Sequence, residues 1–220
     1  MSYPVFAGRC LAVAGLLAIS GACGNLLPAT SPRSVFYALE GVSRTDPPAP
    51  TAAAALTLLV SPPRAAPGFD SQHIIYQRAA HQLEYFAHSE WVDTPARMLA
   101  PLLVARLQQQ GGFRAVVLTP SSALGELRLD SEILRLQQDF SSQPSRVELT
   151  LRAYLVHNTT RQVLAWREFS ASRAAASDDA KGGVGAANAA IAAVLGELAI
   201  FCQTGAGLWR PAVAAAYAAP

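Results

Sequence analysis

Few side chains in this 220-residue sequence are placed to do chemistry. His81, Glu84 and His88 pair imidazoles with a carboxylate and raise the question of a metal. On a strand, however, His81 and Glu84 face opposite sides, and neither an H-E-x-x-H pattern nor a cysteine partner accompanies them. Gly182-Gly183-Val184-Gly185 is glycine-rich, but it follows no strand and lacks the spacing of a dinucleotide loop. It reads as a frayed helix start. Lys181 is the only lysine and sits outside any Walker sequence, and there is no G-x-S-x-G elbow. His73 and His157 stand alone. Asn158-Thr159-Thr160 matches a glycosylation acceptor. No nucleophile–base set assembles, so we expect no enzyme, no catalytic residue, no metal and no diffusible cofactor.

The remaining reactive group is Cys23. Arg9 precedes an apolar run from Cys10 to Ile19, followed by Ser20, Gly21 and Ala22. That is the order of a secretory signal, too short to span a membrane as a mature helix. Small residues directly before a cysteine resemble the lipobox of bacterial lipoproteins. The resemblance implies cleavage before Cys23 and acylation of its thiol and new amino group, a covalent lipid in place of a cofactor. Ser20 departs from the commonest lipobox, which has leucine there. Several acyl chains, at about 0.8 kcal/mol per buried methylene, anchor stably. Gly24 rather than Asp after the cysteine favours, by resemblance to enterobacterial sorting rules, the periplasmic face of the outer membrane. Cys10 then leaves with the signal and Cys202 remains alone, so no intramolecular disulfide forms.

The elements that would position any site alternate between two periods. Val35–Leu39, Leu56–Val60, His73–Gln77 and Gln82–Ala87 read as strands. Asp93-Thr94 and Pro95 start a helix with a stripe of Leu99, Leu102, Leu103 and Leu107, stopped by Gly111-Gly112. Phe113–Leu118 is a strand. Leu127 and Leu129 change parity with Leu134 and Leu136, which predicts a bulge near Ile133. Val147, Leu149, Leu151, Ala153 and Leu155 alternate without a break and return through His157–Arg161 into Gln162–Ser172. A second helix from Ser177-Asp178-Asp179 carries Ala187, Ile191, Val194, Leu195, Leu198 and Cys202, and Gly205 should end it. This order predicts a single α+β domain: a curved, mostly antiparallel β-sheet with two helices packed on one face. The expected division is a lipoprotein signal over 1–22, a lipidated tether over 23–33, the domain over 34–205 and a disordered tail over 206–220.

Composition narrows the class further. The apolar fraction of 51% includes 43 alanines, and no uninterrupted apolar stretch approaches the roughly 18 residues of a membrane span, which excludes a polytopic membrane protein. Net charge is +2 and falls to near neutrality when Arg9 is removed, with no basic cluster, so nucleic acid is not a partner. Tyr85, Phe86 and Trp91 form an aromatic group between a strand pair and the first helix. Alternation puts Tyr85 and Phe86 on opposite faces. The group is either core beneath the helix or a partner-binding surface.

Ile74 to Val116 reads as I-x-Y, a turn, L-x-Y-F, a Trp five residues on, a Leu-rich helix and G-G-F-x-x-V. With Val35–Leu39, Leu56-Thr57-Leu58, the long hairpin and the final Ala-rich helix, this resembles the ABC-type transport auxiliary lipoprotein family over roughly Val35 to Thr204. The resemblance implies a non-enzymatic adaptor or docking component on the outer membrane. Its partners would be an MCE-domain protein and inner-membrane ABC permease or ATPase components that move phospholipid across the periplasm. A homo-oligomer is compatible with it. The alternatives are an outer-membrane assembly factor or chaperone for lipopolysaccharide or β-barrel proteins, and a periplasmic hydrolase.

Overall fold

A computed structural model describes residues 33–40 and 56–217, with side chains as far as residue 207. The signal, Cys23, the tether before Arg33 and the Thr45–Ala54 loop lie outside the described residues. Nine strands and two helices follow in chain order: β1 (Val35–Tyr37), β2 (Thr57–Val60), β3 (Arg64–Ala65), β4 (His73–Ala79), β5 (Gln82–Trp91), α1 (Pro95–Gln110), β6 (Ala115–Leu118), β7 (Leu127–Asp139), β8 (Arg146–His157), β9 (Val163–Ala174) and α2 (Ala180–Tyr217).

The long strand β7 organises the sheet. Along one edge it pairs antiparallel with β8 over nearly its whole length, and β8 pairs antiparallel with β9. Its other edge is shared by three elements in turn: β2 near its start, β3 in the middle and β4 near its end, all parallel. β2 continues into β6, and β4 into β5 and then β1. The sheet is therefore mixed, open and mostly antiparallel by length of ladder, since each parallel pairing spans only two to four residues. The ladder between β7 and β8 slips between Ile133 and Arg135, the bulge expected from the parity change. It keeps Leu127, Leu129, Ile133 and Leu136 all on the core side.

One hydrophobic core joins both helices to one face of this sheet. Leu99, Leu103 and Leu107 of α1 are buried, Leu102 only partly, and the helix ends at Gly111 with φ of 74°. From α2, Ala187, Ile191, Val194, Leu195, Leu198 and Cys202 pack inward, opposite Leu149, Leu151, Leu155 and Phe169. Each leucine so buried is worth about 1.5–3 kcal/mol. By length and composition Ala180–Gly207 could cross a membrane, but half of its apolar window is buried against the domain. Its alanine content lets it lie close to the sheet.

Two expectations for α2 are corrected. The helix does not end at Gly205 but runs on to Tyr217, replacing the disordered tail expected from residue 206. A Cβ on Gly205 would stand 2.7 Å from Leu155 Cδ2, so this glycine permits close packing and terminates nothing. A helical glycine costs only about 1 kcal/mol against alanine, too little to stop a helix that the sheet supports. The glycine-rich start is not frayed either. Asp179 accepts hydrogen bonds from the Gly182 N–H at 2.7 Å and the Ser177 hydroxyl at 2.8 Å, which caps the first turn. Gly182 and Gly183 are buried there.

Candidate functional site

The face of the sheet without helices carries several of the large exposed apolar residues. On the wing formed by β4, β5 and β1, the register pairs His73 with Glu90, Ile75 with Tyr85, Tyr76 with Glu84 and Gln77 with Leu83, with an irregularity between His73 and Ile75. β1 adds Phe36 beside Glu90 and Tyr37 beside Trp91. Alternation then separates the faces. Ile74, Tyr76 and Trp91 point to the core and are buried. Phe36, His73, Ile75, Leu83, Tyr85 and Val92 fall on the other side. Four of these are large and open to solvent: Phe36 at 60%, Tyr85 at 56%, Val92 at 55% and Leu83 at 47%. The rings of His73 and Tyr85 stack at 4.3 Å. Beyond Leu83 the stripe opens into a groove of about 580 Å³ whose lining includes Phe69, Gln77, Leu134, Arg135 and Glu148.

The structure divides the three aromatics singled out by sequence. Tyr85 is on the surface. Phe86 is partly buried against Tyr76 at 4.7 Å and Phe140 at 6.4 Å. Trp91 is 3% exposed and belongs to the core, so the expectation that it meets a partner is corrected. Its burial follows from pairing with Tyr37 on the helix side of the sheet. The carboxylate of Glu84 is occupied by the Tyr76 hydroxyl, which donates to it at 3.0 Å. Burial, and secondarily that hydrogen bond, push the Tyr76 phenol above its ordinary value. His81 occupies the β4–β5 turn with φ of 64°, and no group of three metal-ligating side chains occurs among the described residues. Cys202 packs in the core, and its burial pushes the thiol up to about 12.

A second aromatic pair, half-buried Tyr154 and exposed Trp166, emerges only from the structure. Tyr154 and Trp166 stack at 6.3 Å across β8 and β9, with Trp166 61% exposed. They sit beside the Arg152–Glu168 ion pair at 2.7 Å, on the same helix-free face. The unbroken alternation of β8 already put Tyr154 on its polar side, which was the available signal in the sequence. Tyr154 lies opposite Asp130, whereas β4 meets β7 at Gln138. By register Phe36 and His73 are level with about Arg135 and Tyr85 with about Gln137, so five to seven residues of strand, roughly 17–23 Å, separate the two patches along β7.

The family model for the ABC-type transport auxiliary lipoprotein component matches residues 37–199. The chain belongs to this family. It is thus a lipoprotein component auxiliary to ABC-type transport, and no curated protein sequence matches it. Among solved structures it is similar to a Xanthomonas campestris protein of the DUF330 family, with a TM-score of 0.71, 23% identity and coverage of 81% of this chain and 99% of that one. An uncharacterized protein has a TM-score of 0.61 at 15% identity, covering 76% of this chain and 97% of that one. Both support the fold of this auxiliary component.

Proposed function

We propose that this auxiliary component is anchored to the periplasmic face of the outer membrane through lipid on Cys23. There it serves as a non-enzymatic docking adaptor of an MCE/ABC-type system that moves phospholipid between membranes. Family membership supports the transport role, and the lipobox resemblance supports the anchor. The observation that carries the docking reading is exposed Trp166 stacked on half-buried Tyr154, on strands β8 and β9 across the sheet from β1. An exposed Trp stacked on a Tyr in a polar surround is what a protein interface draws on. A membrane-tethered adaptor would present that end to the MCE-domain partner.

A photo-crosslinking residue at Trp166, in cells, should capture an MCE-domain protein. Crosslinks confined to unrelated proteins would refute the adaptor reading. Deletion should disturb phospholipid asymmetry; depletion of β-barrel proteins with normal lipids would instead favour an assembly factor. For the anchor, Cys23→Ala should abolish fatty-acyl labelling and leave the precursor unprocessed, and continued labelling would place the lipid elsewhere.

A further inference from the structure

The exposed stripe on the β4–β5–β1 wing is unexplained by partner docking at the far end of the sheet. We infer that Phe36, Leu83, Tyr85 and Val92 rest on the phospholipid surface itself, seated there by the tether. This rests on the reading of Cys23 as the anchor. The stripe begins where the tether ends: Ser34 leads directly into Val35 and Phe36 of β1. Residues 23–33 span at most roughly 36 Å when extended, and a flexible chain of that length averages about 17–20 Å. A lipid at Cys23 therefore keeps this wing within reach of the bilayer. At so short a range the effective concentration is high, and modest insertion is enough for the wing to settle.

The chemistry of the stripe suits a membrane interface. Tyr85 combines an apolar ring with a hydroxyl, and the stacked His73 adds a second amphipathic ring, the combination found at headgroup depth. Phe36, Leu83 and Val92 supply groups that can enter the acyl boundary. The stripe has no basic cluster, and Glu90 beside Phe36 opposes any strong attraction to anionic lipid. Adhesion should come from apolar insertion and resist salt, unlike binding through a basic patch.

The test uses the full mature lipoprotein reconstituted into phosphatidylethanolamine/phosphatidylglycerol vesicles, with or without brominated acyl chains. An environment-sensitive fluorophore is attached at Tyr85→Cys, at Phe36→Cys or, as a control on the same face, at Ser170→Cys. Buried Cys202 stays unlabelled. The labels at positions 85 and 36 should shift to the blue and be quenched by brominated lipid several-fold more than the label at position 170, with no loss in 0.5 M NaCl. Combining Phe36→Asp with Leu83→Asp should return the position-85 label to water while the protein still floats with vesicles. Acylated, vesicle-bound protein whose position-85 label matches the position-170 label overturns the inference alone. Shielding that needs no vesicles and grows with protein concentration also overturns it, in favour of a second copy. An unacylated Cys23 by intact mass, with no flotation, overturns the anchor reading and this inference together.

Discussion

Two alanine substitutions three residues apart in the first turns of α2 should move stability in opposite directions. A Cβ on Gly182 would lie 2.2 Å from the Ser177 carbonyl oxygen and 2.5 Å from its amide nitrogen. Both are backbone atoms, so relief requires the loop or the helix start to shift by about 1 Å to reach ordinary contact. That shift pulls apart the 2.7 Å Gly182–Asp179 and 2.8 Å Ser177–Asp179 hydrogen bonds. Overpacking costs about 1–3 kcal/mol and a lost cap about 1 kcal/mol, against a helix-propensity gain of about 1 kcal/mol. Gly182→Ala should therefore lose about 2 kcal/mol. Gly185 is exposed, and a Cβ there would meet nothing within 4 Å, so Gly185→Ala keeps the propensity gain of about 0.5–1 kcal/mol. At about 2–4 °C per kcal/mol for a domain of this size, Gly182→Ala should melt about 4–8 °C lower and Gly185→Ala a few degrees higher. Urea titration followed by circular dichroism gives the free energies. Equal stabilisation by both substitutions would refute the close-packed start of α2. The contact matters for the site because Gly183 and Ala187 line one cleft with Ile74 and Trp91, core residues directly beneath the exposed wing.

Phe86→Ala should cost about 2–3 kcal/mol in the same titration, through the contacts with Tyr76 and Phe140, whereas Tyr85→Ser should stay within about 0.5 kcal/mol. Hydrogen bonds from the Ser145 hydroxyl and amide hold the Asp178 carboxyl below its ordinary value, and those from the Gly182 amide and Ser177 hydroxyl do the same for Asp179. A carboxyl depressed by folding contributes stability above its unfolded pKa of about 4, and that contribution is lost as pH falls through the folded value. Stability should decline on acidification below about pH 4, and Asp178→Asn should flatten the decline; an unchanged pH profile would refute the assignment. Cys202 should resist a maleimide at pH 8 until urea unfolds the domain, and labelling of the native protein would contradict its burial.

Much of this fold was legible because period-2 and period-3.6 patterns mark which side of each element is apolar. The stripe Leu99, Leu103, Leu107 and the alternation Val147–Leu155 became core as expected. The shift between Leu129 and Leu134 became the bulge after Ile133. The parallel pairings along β7 were not legible. They join segments far apart in sequence, and two-residue β3 carries too little pattern to be recognised. Gly205 misled because a glycine that ends a helix and one that lets a helix approach a strand look identical until the neighbour is known.

The candidate surface shows the same division. By itself the sequence determined the residue types: an apolar run ending before Cys23, and aromatics at positions 85, 86 and 91. Tertiary structure alone decided which aromatic meets solvent. Sequence alternation can place neighbours on opposite faces, but only the helices packed on one side decide which face is covered. They cover Trp91 and leave Tyr85, Phe36, Val92 and Leu83 open. The pairing of β1 with β5 then gathers residues about fifty positions apart into one stripe beside the tether.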